Sequence, residues 1–184
     1  MRFSQKPWIV LCALVLAFAF VPASQAQVNS NVANVTLNAT LAESITIGAS
    51  TGVVTFALVP NGPANGNVPV VVNTSWALAK TRTNVKLYAY FASGNALTDG
   101  AGDNIPNTSV SAKINGGAST VFNTGTPYGG NFGLTVFTQA ITAANANGSR
   151  PPAGDSIALT IDTTGLGIPA AAYTGTMVLQ AQAN

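Results

Sequence analysis

Glu43, Asp99, Asp103, Asp155 and Asp162 are the five carboxylates of this 184-residue sequence, which contains no histidine and one cysteine, Cys12. Without histidine there is no Ser-His-Asp or Cys-His pairing, no imidazole zinc ligand and no side chain with a near-neutral pKa to serve as a general base. Carboxylate chemistry is what remains. Glycoside hydrolysis needs two carboxyl groups facing each other across a bond. These five are expected at strand ends and in loops rather than along an aromatic-lined cleft, so the residue types point to a non-catalytic protein.

Two groups could bind rather than react. In Asp99-Gly100-Ala101-Gly102-Asp103-Asn104, Asp99, Asp103 and Asn104 offer the oxygen ligands that calcium prefers, and the glycines let the chain wrap closely round an ion. The EF-hand spacing and its closing glutamate are missing. A Gly/Asp-rich turn held by its own side-chain to backbone bonds is the alternative. The second group is aromatic: alternation along Val85 to Ala92 places Lys86, Tyr88 and Tyr90 on one strand face. Exposed, they would form a platform for sugar rings or a protein partner; otherwise they cover the sheet's outer face. Asp162-Thr163-Thr164-Gly165 reads as a strand-terminal Asp bonding its own turn.

The elements that must carry these residues are strands. Apolar and polar residues alternate, with Gly, Asn and Pro punctuation, from Val35 to the C-terminus, and no helical period competes. Val35 to Leu41 places Val35, Leu37, Ala39 and Leu41 on one face. Val53 to Val59 and Val68 to Val72 are denser runs that read as buried strands, with Trp76 to Ala79 continuing the second past a bend at Asn73-Thr74-Ser75. Val85 to Ala92 directs Val85, Leu87, Ala89 and Phe91 to the core, and Trp76 is also expected there. Ser93 to Asn107 reads as loop. Val110 to Ile114 and Ser119 to Phe122 flank Asn115-Gly116-Gly117-Ala118 and form a hairpin. Gly133 to Thr138, Ser156 to Asp162 and Tyr173 to Gln182 complete the set, and Ile141 to Asn147 is a candidate helical turn. The expected fold is all-β: a single immunoglobulin-like antiparallel β-sandwich of about eight or nine strands.

At the N-terminus, basic Arg2 and Lys6 precede the 14-residue apolar run Trp8 to Val21, with Ser24-Gln25-Ala26 after it. This is the layout of a secretory signal peptide, residues 1–26, followed by a secreted domain of residues 27–184. The run is shorter than the roughly 20 residues of a membrane-spanning helix, so no membrane insertion is expected after cleavage. Cys12 would leave with the signal. The remaining domain carries five basic and five acidic residues and no net charge. Of the bases only Lys80, Arg82 and Lys86 cluster, as a solvated strand edge, which argues against nucleic acid. The expected location is secreted or at the cell surface, with the periplasm as a further alternative.

The stretch Ile161-Asp162-Thr163-Thr164-Gly165-Leu166-Gly167-Ile168-Pro169-Ala170-Ala171-Ala172-Tyr173-Thr174-Gly175-Thr176 resembles the close of exported bacterial β-sandwich modules. With Arg82 to Phe91 and Leu97 to Pro106, most of residues 27–184 resembles a group of uncharacterised secreted bacterial immunoglobulin-like proteins. A looser similarity is to fimbrial and surface-appendage subunits, which share the sandwich and an N-terminal arm of alternating apolar residues, here Val28 to Leu41. The cysteine pair of many such subunits is absent, and Tyr173 to Gln182 reads as a complete final strand. Tyr173 is expected to act as a corner residue, its hydroxyl returning to backbone near Asp162. The resemblances imply the fold and export; export, the absence of net charge, the missing catalytic groups and the alternating arm lead to the expectation of a structural or interaction protein of the cell exterior, a surface-appendage or matrix subunit. Its partners would be copies of itself, other surface proteins or polysaccharide. The alternative is a carbohydrate-binding or adhesive module using the aromatic face. The arm would add to another subunit's sheet or form the domain's own first strand.

Overall fold

A computed structural model describes residues 30–150 and 153–184. Contacts divide the chain into two units, Met1–Ala39 and Thr40–Asn184. Of the first unit, residues 30–39 are described; they are exposed and have no regular secondary structure. The signal-peptide expectation for residues 1–26 falls outside the described residues.

Among the described residues of the second unit, twelve strands follow one another: β1 (Ser44–Ala49), β2 (Pro63–Asn65), β3 (Val70–Ala77), β4 (Asn84–Tyr90), β5 (Asn95–Thr98), β6 (Asn104–Pro106), β7 (Val110–Ile114), β8 (Ser119–Val121), β9 (Gly133–Ala140), β10 (Asn147–Ser149), β11 (Asp155–Asp162) and β12 (Val178–Ala183). All their pairings are antiparallel. One sheet has the order β1-β3-β11-β7-β8, with β10 added to β3 and β2 added to β11. A second has the order β12-β4-β9, and β5 and β6 form a separate hairpin. The fold is an all-β antiparallel sandwich. Its strand count exceeds eight or nine because β2, β5, β6 and β10, four residues or fewer each, lie in stretches that read as loop or turn.

Period-two alternation explains how the sheets meet. β3 turns Val70, Val72, Thr74 and Trp76 inward, and β11 turns Asp155, Ile157, Leu159 and Ile161 inward. From the other sheet Val85, Leu87, Ala89 and Leu134 close on the same core. The bend expected at Asn73-Thr74-Ser75 does not occur: β3 runs straight through, because β1 pairs with it from Ala77 to Val72. Trp76 and Phe91 are core residues, and the Trp76 indole N–H donates to the Asn145 carbonyl at 2.9 Å. The expected β7–β8 hairpin is present, with Asn115 (φ 51°) and Gly116 (φ 73°) in the left-handed region its turn requires.

Four stretches depart from the sequence reading. Residues 35–41 are exposed coil with no strand partner. Residues 53–59, expected as a buried strand, alternate between half-buried Val54, Phe56 and Leu58 and exposed Val53, Ala57 and Val59, with one bridge from Phe56 to Gly66. The final strand begins at Val178; before it only Thr174 pairs, with Thr98. Residues 141–147 form no helix. There the Asn145 side chain accepts from the Thr142 N–H at 2.7 Å and ends the turn, leading into β10.

A polar group completes the interior. Asp155, 0% exposed, accepts two hydrogen bonds from Arg150, at 2.8 and 2.9 Å, and one from the Asn115 amide at 2.9 Å. The Arg150 guanidinium lies 4.6 Å from the centre of the Phe137 ring. Burial alone would raise the Asp155 pKa, but the bonds from Arg150 and Asn115 more than offset it and hold the carboxyl below its ordinary value.

Candidate functional site: an open edge of the sandwich

The β1 ladder ends where the Ser50 N–H donates to the Val71 carbonyl at 2.8 Å. Residues 51–59 then run beside β2. The Thr55 N–H donates to the Asn67 side-chain oxygen, and the Asn67 N–H to the Thr55 carbonyl, both at 3.0 Å. Since alternate residues direct their backbone groups to opposite edges, Val54 and Phe56 direct theirs away from β2. Those groups make no backbone hydrogen bond among the described residues. Gly66 permits the close fit on the other side, where a Cβ would lie 2.6 Å from a Val54 methyl. Thr163, buried at the end of the segment, donates to the Val59 carbonyl at 2.5 Å and accepts from the Gly62 N–H at 3.2 Å.

Residues 167–177, with Leu179 of β12, form the facing wall. The Tyr173 hydroxyl donates to the Pro169 carbonyl at 3.0 Å, so the corner contact exists but returns to Pro169 rather than to the neighbourhood of Asp162. Thr174 and Thr98 exchange backbone hydrogen bonds at 2.8 and 2.9 Å, and Gly175 lies directly against the Ala96 backbone. β12 pairs with β4 along one edge; among the described residues no strand takes the other.

Between these walls lies a groove of about 1180 Å³, floored by the core residues Val70, Val110, Leu159, Ile161 and Phe91. None of its lining residues is charged. The consequence registers in burial: β3, β4, β9 and β11 each have four or more buried positions, whereas β1 and β12 have none. The sandwich is open along this edge.

The residues singled out from the sequence lie elsewhere. Tyr88 and Tyr90 are 6% and 9% exposed. Tyr128 stacks on Tyr90 with ring centres 6.0 Å apart and meets Tyr88 edge-on at 5.9 Å. The Tyr90 hydroxyl donates to Gln180 at 2.9 Å. Lys86 is half-buried on the same strand. The rings are therefore packed side chains beneath Tyr128, whose own phenol pKa burial pushes up, aided by Tyr88 and Tyr90.

At the proposed calcium loop, Asp99 Oδ1 accepts from the N–H groups of Ala101, Gly102 and Asp103 at 2.8, 3.1 and 3.0 Å, and the Asn104 amide donates to the Gly102 carbonyl at 2.9 Å. This is the self-bonded turn geometry, with the Asp99 oxygen already engaged by backbone. Loss of water, together with Asp103 and Asp99, raises the pKa of nearby Tyr173. Of the other carboxylates, Glu43 bonds Arg82, Asp155 bonds Arg150, and Asp162 accepts from the Thr164 N–H at 3.0 Å and its hydroxyl at 2.7 Å. Among the described residues no three His, Cys, Asp or Glu side chains gather as a metal site would require, and no helix is long and apolar enough to cross a membrane.

Sequence reasoning missed the groove. One signal was available: residues 53–59 carry apolar side chains at both parities, more than a strand with one buried face uses. Comparison with protein-family models, curated proteins and solved structures finds no match for the chain.

Proposed function

We propose that this chain is a non-catalytic structural or interaction protein of the cell exterior, and that it works by accepting a β-strand along the open edge of its sandwich. The observation that carries this reading is the uncharged groove between residues 51–59 and 167–177, floored by core side chains and bordered by Val54 and Phe56, whose backbone groups make no backbone hydrogen bond among the described residues. Such an edge can take up main-chain hydrogen bonds and alternate apolar side chains together. The signal-like residues 1–26 support export. A surface-appendage or matrix subunit uses contacts of this kind. The polysaccharide-binding alternative loses support, since its aromatic platform is covered by Tyr128.

Light scattering on the chain as exported by its producing cell, alongside Phe56→Asp, tests the reading. Assemblies that give way to folded monomers in the variant would support it. A wild-type chain that stays monomeric at every concentration, with no partner recovered in complex with it, would sink it.

A further inference from the structure

We propose that the strand filling the groove is residues 33–41 of a second copy of this chain, laid between residues 51–59 and 167–177 with Val35, Leu37, Ala39 and Leu41 facing the core. This rests on the reading of the edge as a strand acceptor and names its occupant.

Three observations converge on this segment. Val32, Val35, Leu37 and Leu41 are among the most exposed large apolar side chains of the described chain, Leu37 at 89%. Exposed apolar residues grouped in this way mark a contact surface. The intervening residues Asn34, Thr36, Asn38 and Thr40 are polar and uncharged, so an inserted strand would present apolar side chains to the floor and polar ones to water. Neither the groove lining nor residues 30–42 carry a charge, so no ion is desolvated on insertion. The lengths also agree: nine extended residues span roughly 30 Å, and the 51–59 wall is itself nine residues long.

Covalent geometry favours a second copy over the chain's own arm. The arm joins β1 at Ser44, whereas the groove begins at Ala49, the far end of that strand. To fold back, the chain must reverse at Ala42-Glu43 and use residues 36–41 to run alongside β1, roughly 20 Å, before reaching the groove. Little of the alternating segment would then remain to fill it. Glu43 is also tied down: its carboxylate accepts from the Ala79 N–H at 2.6 Å and from Arg82 at 2.6 and 3.0 Å.

Cysteine pairing in the full chain tests this, with Cys12→Ser throughout to clear the background. Val35→Cys, Leu37→Cys, Ala39→Cys and Leu41→Cys are each mixed with a separate preparation of Phe56→Cys and oxidised. Asn34→Cys, Thr36→Cys and Asn38→Cys serve as controls facing the other way. The expected result is a disulfide-linked dimer from at least one inward position and loss of that product in the controls. Two copies of one arm variant must not give the same product. A chain carrying the successful pair on one polypeptide that closes only upon itself, at monomer mass, would assign the groove to its own arm and overturn the inference, leaving the edge an acceptor. Phe56→Cys protected from alkylation in chain purified from its host, with no cross-link from any arm position, would assign the groove to a different protein, with the same consequence. Free alkylation of Phe56→Cys together with no cross-link would overturn both the inference and the proposed function.

Discussion

Asp155 shows how one residue ties three parts of the chain together. Its carboxylate takes hydrogen bonds from Arg150, which follows β10, and from Asn115 in the β7–β8 turn. Asp155→Ala would leave the guanidinium without its partner, and a loss of about 3 kcal/mol in urea-unfolding stability is expected. The same group sets a pH dependence. Because its folded pKa lies below the ordinary 3.8, its contribution is fully present above that value and fades as pH falls through the folded one. Wild-type stability should therefore drop below about pH 4 through a term that Asp155→Ala lacks, as acid titrations of the two proteins would reveal. Glu43, held at about 2 by Arg82 and the Ala79 N–H, acts in the same direction at the surface. Thr74 is the opposite case: its hydroxyl is buried without a hydrogen-bond partner among the described residues. Thr74→Val should raise the unfolding free energy by about 1 kcal/mol.

At the scale of elements, residues 173–177 meet the β5–β6 hairpin through Gly175. A methyl group there would run into the Ala96 backbone, which cannot yield as a side-chain tip can. Gly175→Ala should break the Thr98–Thr174 bridge and lower the melting temperature by roughly 5 °C, measured by calorimetry. β3, β7 and β11 were legible in the sequence because each buries alternate residues, and the alternation records it; β8 was legible from the Asn115-Gly116 turn before it. Residues 35–41 alternate just as well and residues 53–59 are denser in apolar side chains, but they lack a strand partner along one or both edges. Alternation reports which face of a segment avoids water, not whether a neighbouring strand is present to supply the cover. For the tyrosines the sequence left two alternatives open, an exposed platform or packed side chains, because Tyr128, which packs on Tyr88 and Tyr90, lies about 40 positions away and the strand's own pattern holds no trace of it. The Asp99 turn was legible as one of two alternatives, because its bonds are made within five residues.

At the scale of the whole molecule, the arm and the groove both leave apolar surface exposed among the described residues. Burying Leu37 and Leu41 would contribute about 2 kcal/mol each. Leu37→Asp should therefore abolish any assembly seen by light scattering while leaving far-UV circular dichroism of the monomer unchanged, since Leu37 makes no core contact. The open edge has a further consequence for symmetry. An arm and a groove are different surfaces, so under the proposed exchange two copies could either swap arms reciprocally and close as a two-fold dimer or pass them onward in one direction. In the second case each copy that donated its arm would keep its own groove vacant for the next, and the series would have a direction, with an arm at one end and a groove at the other. The rotation per step alone decides whether such a series closes into a ring or continues as a fibre.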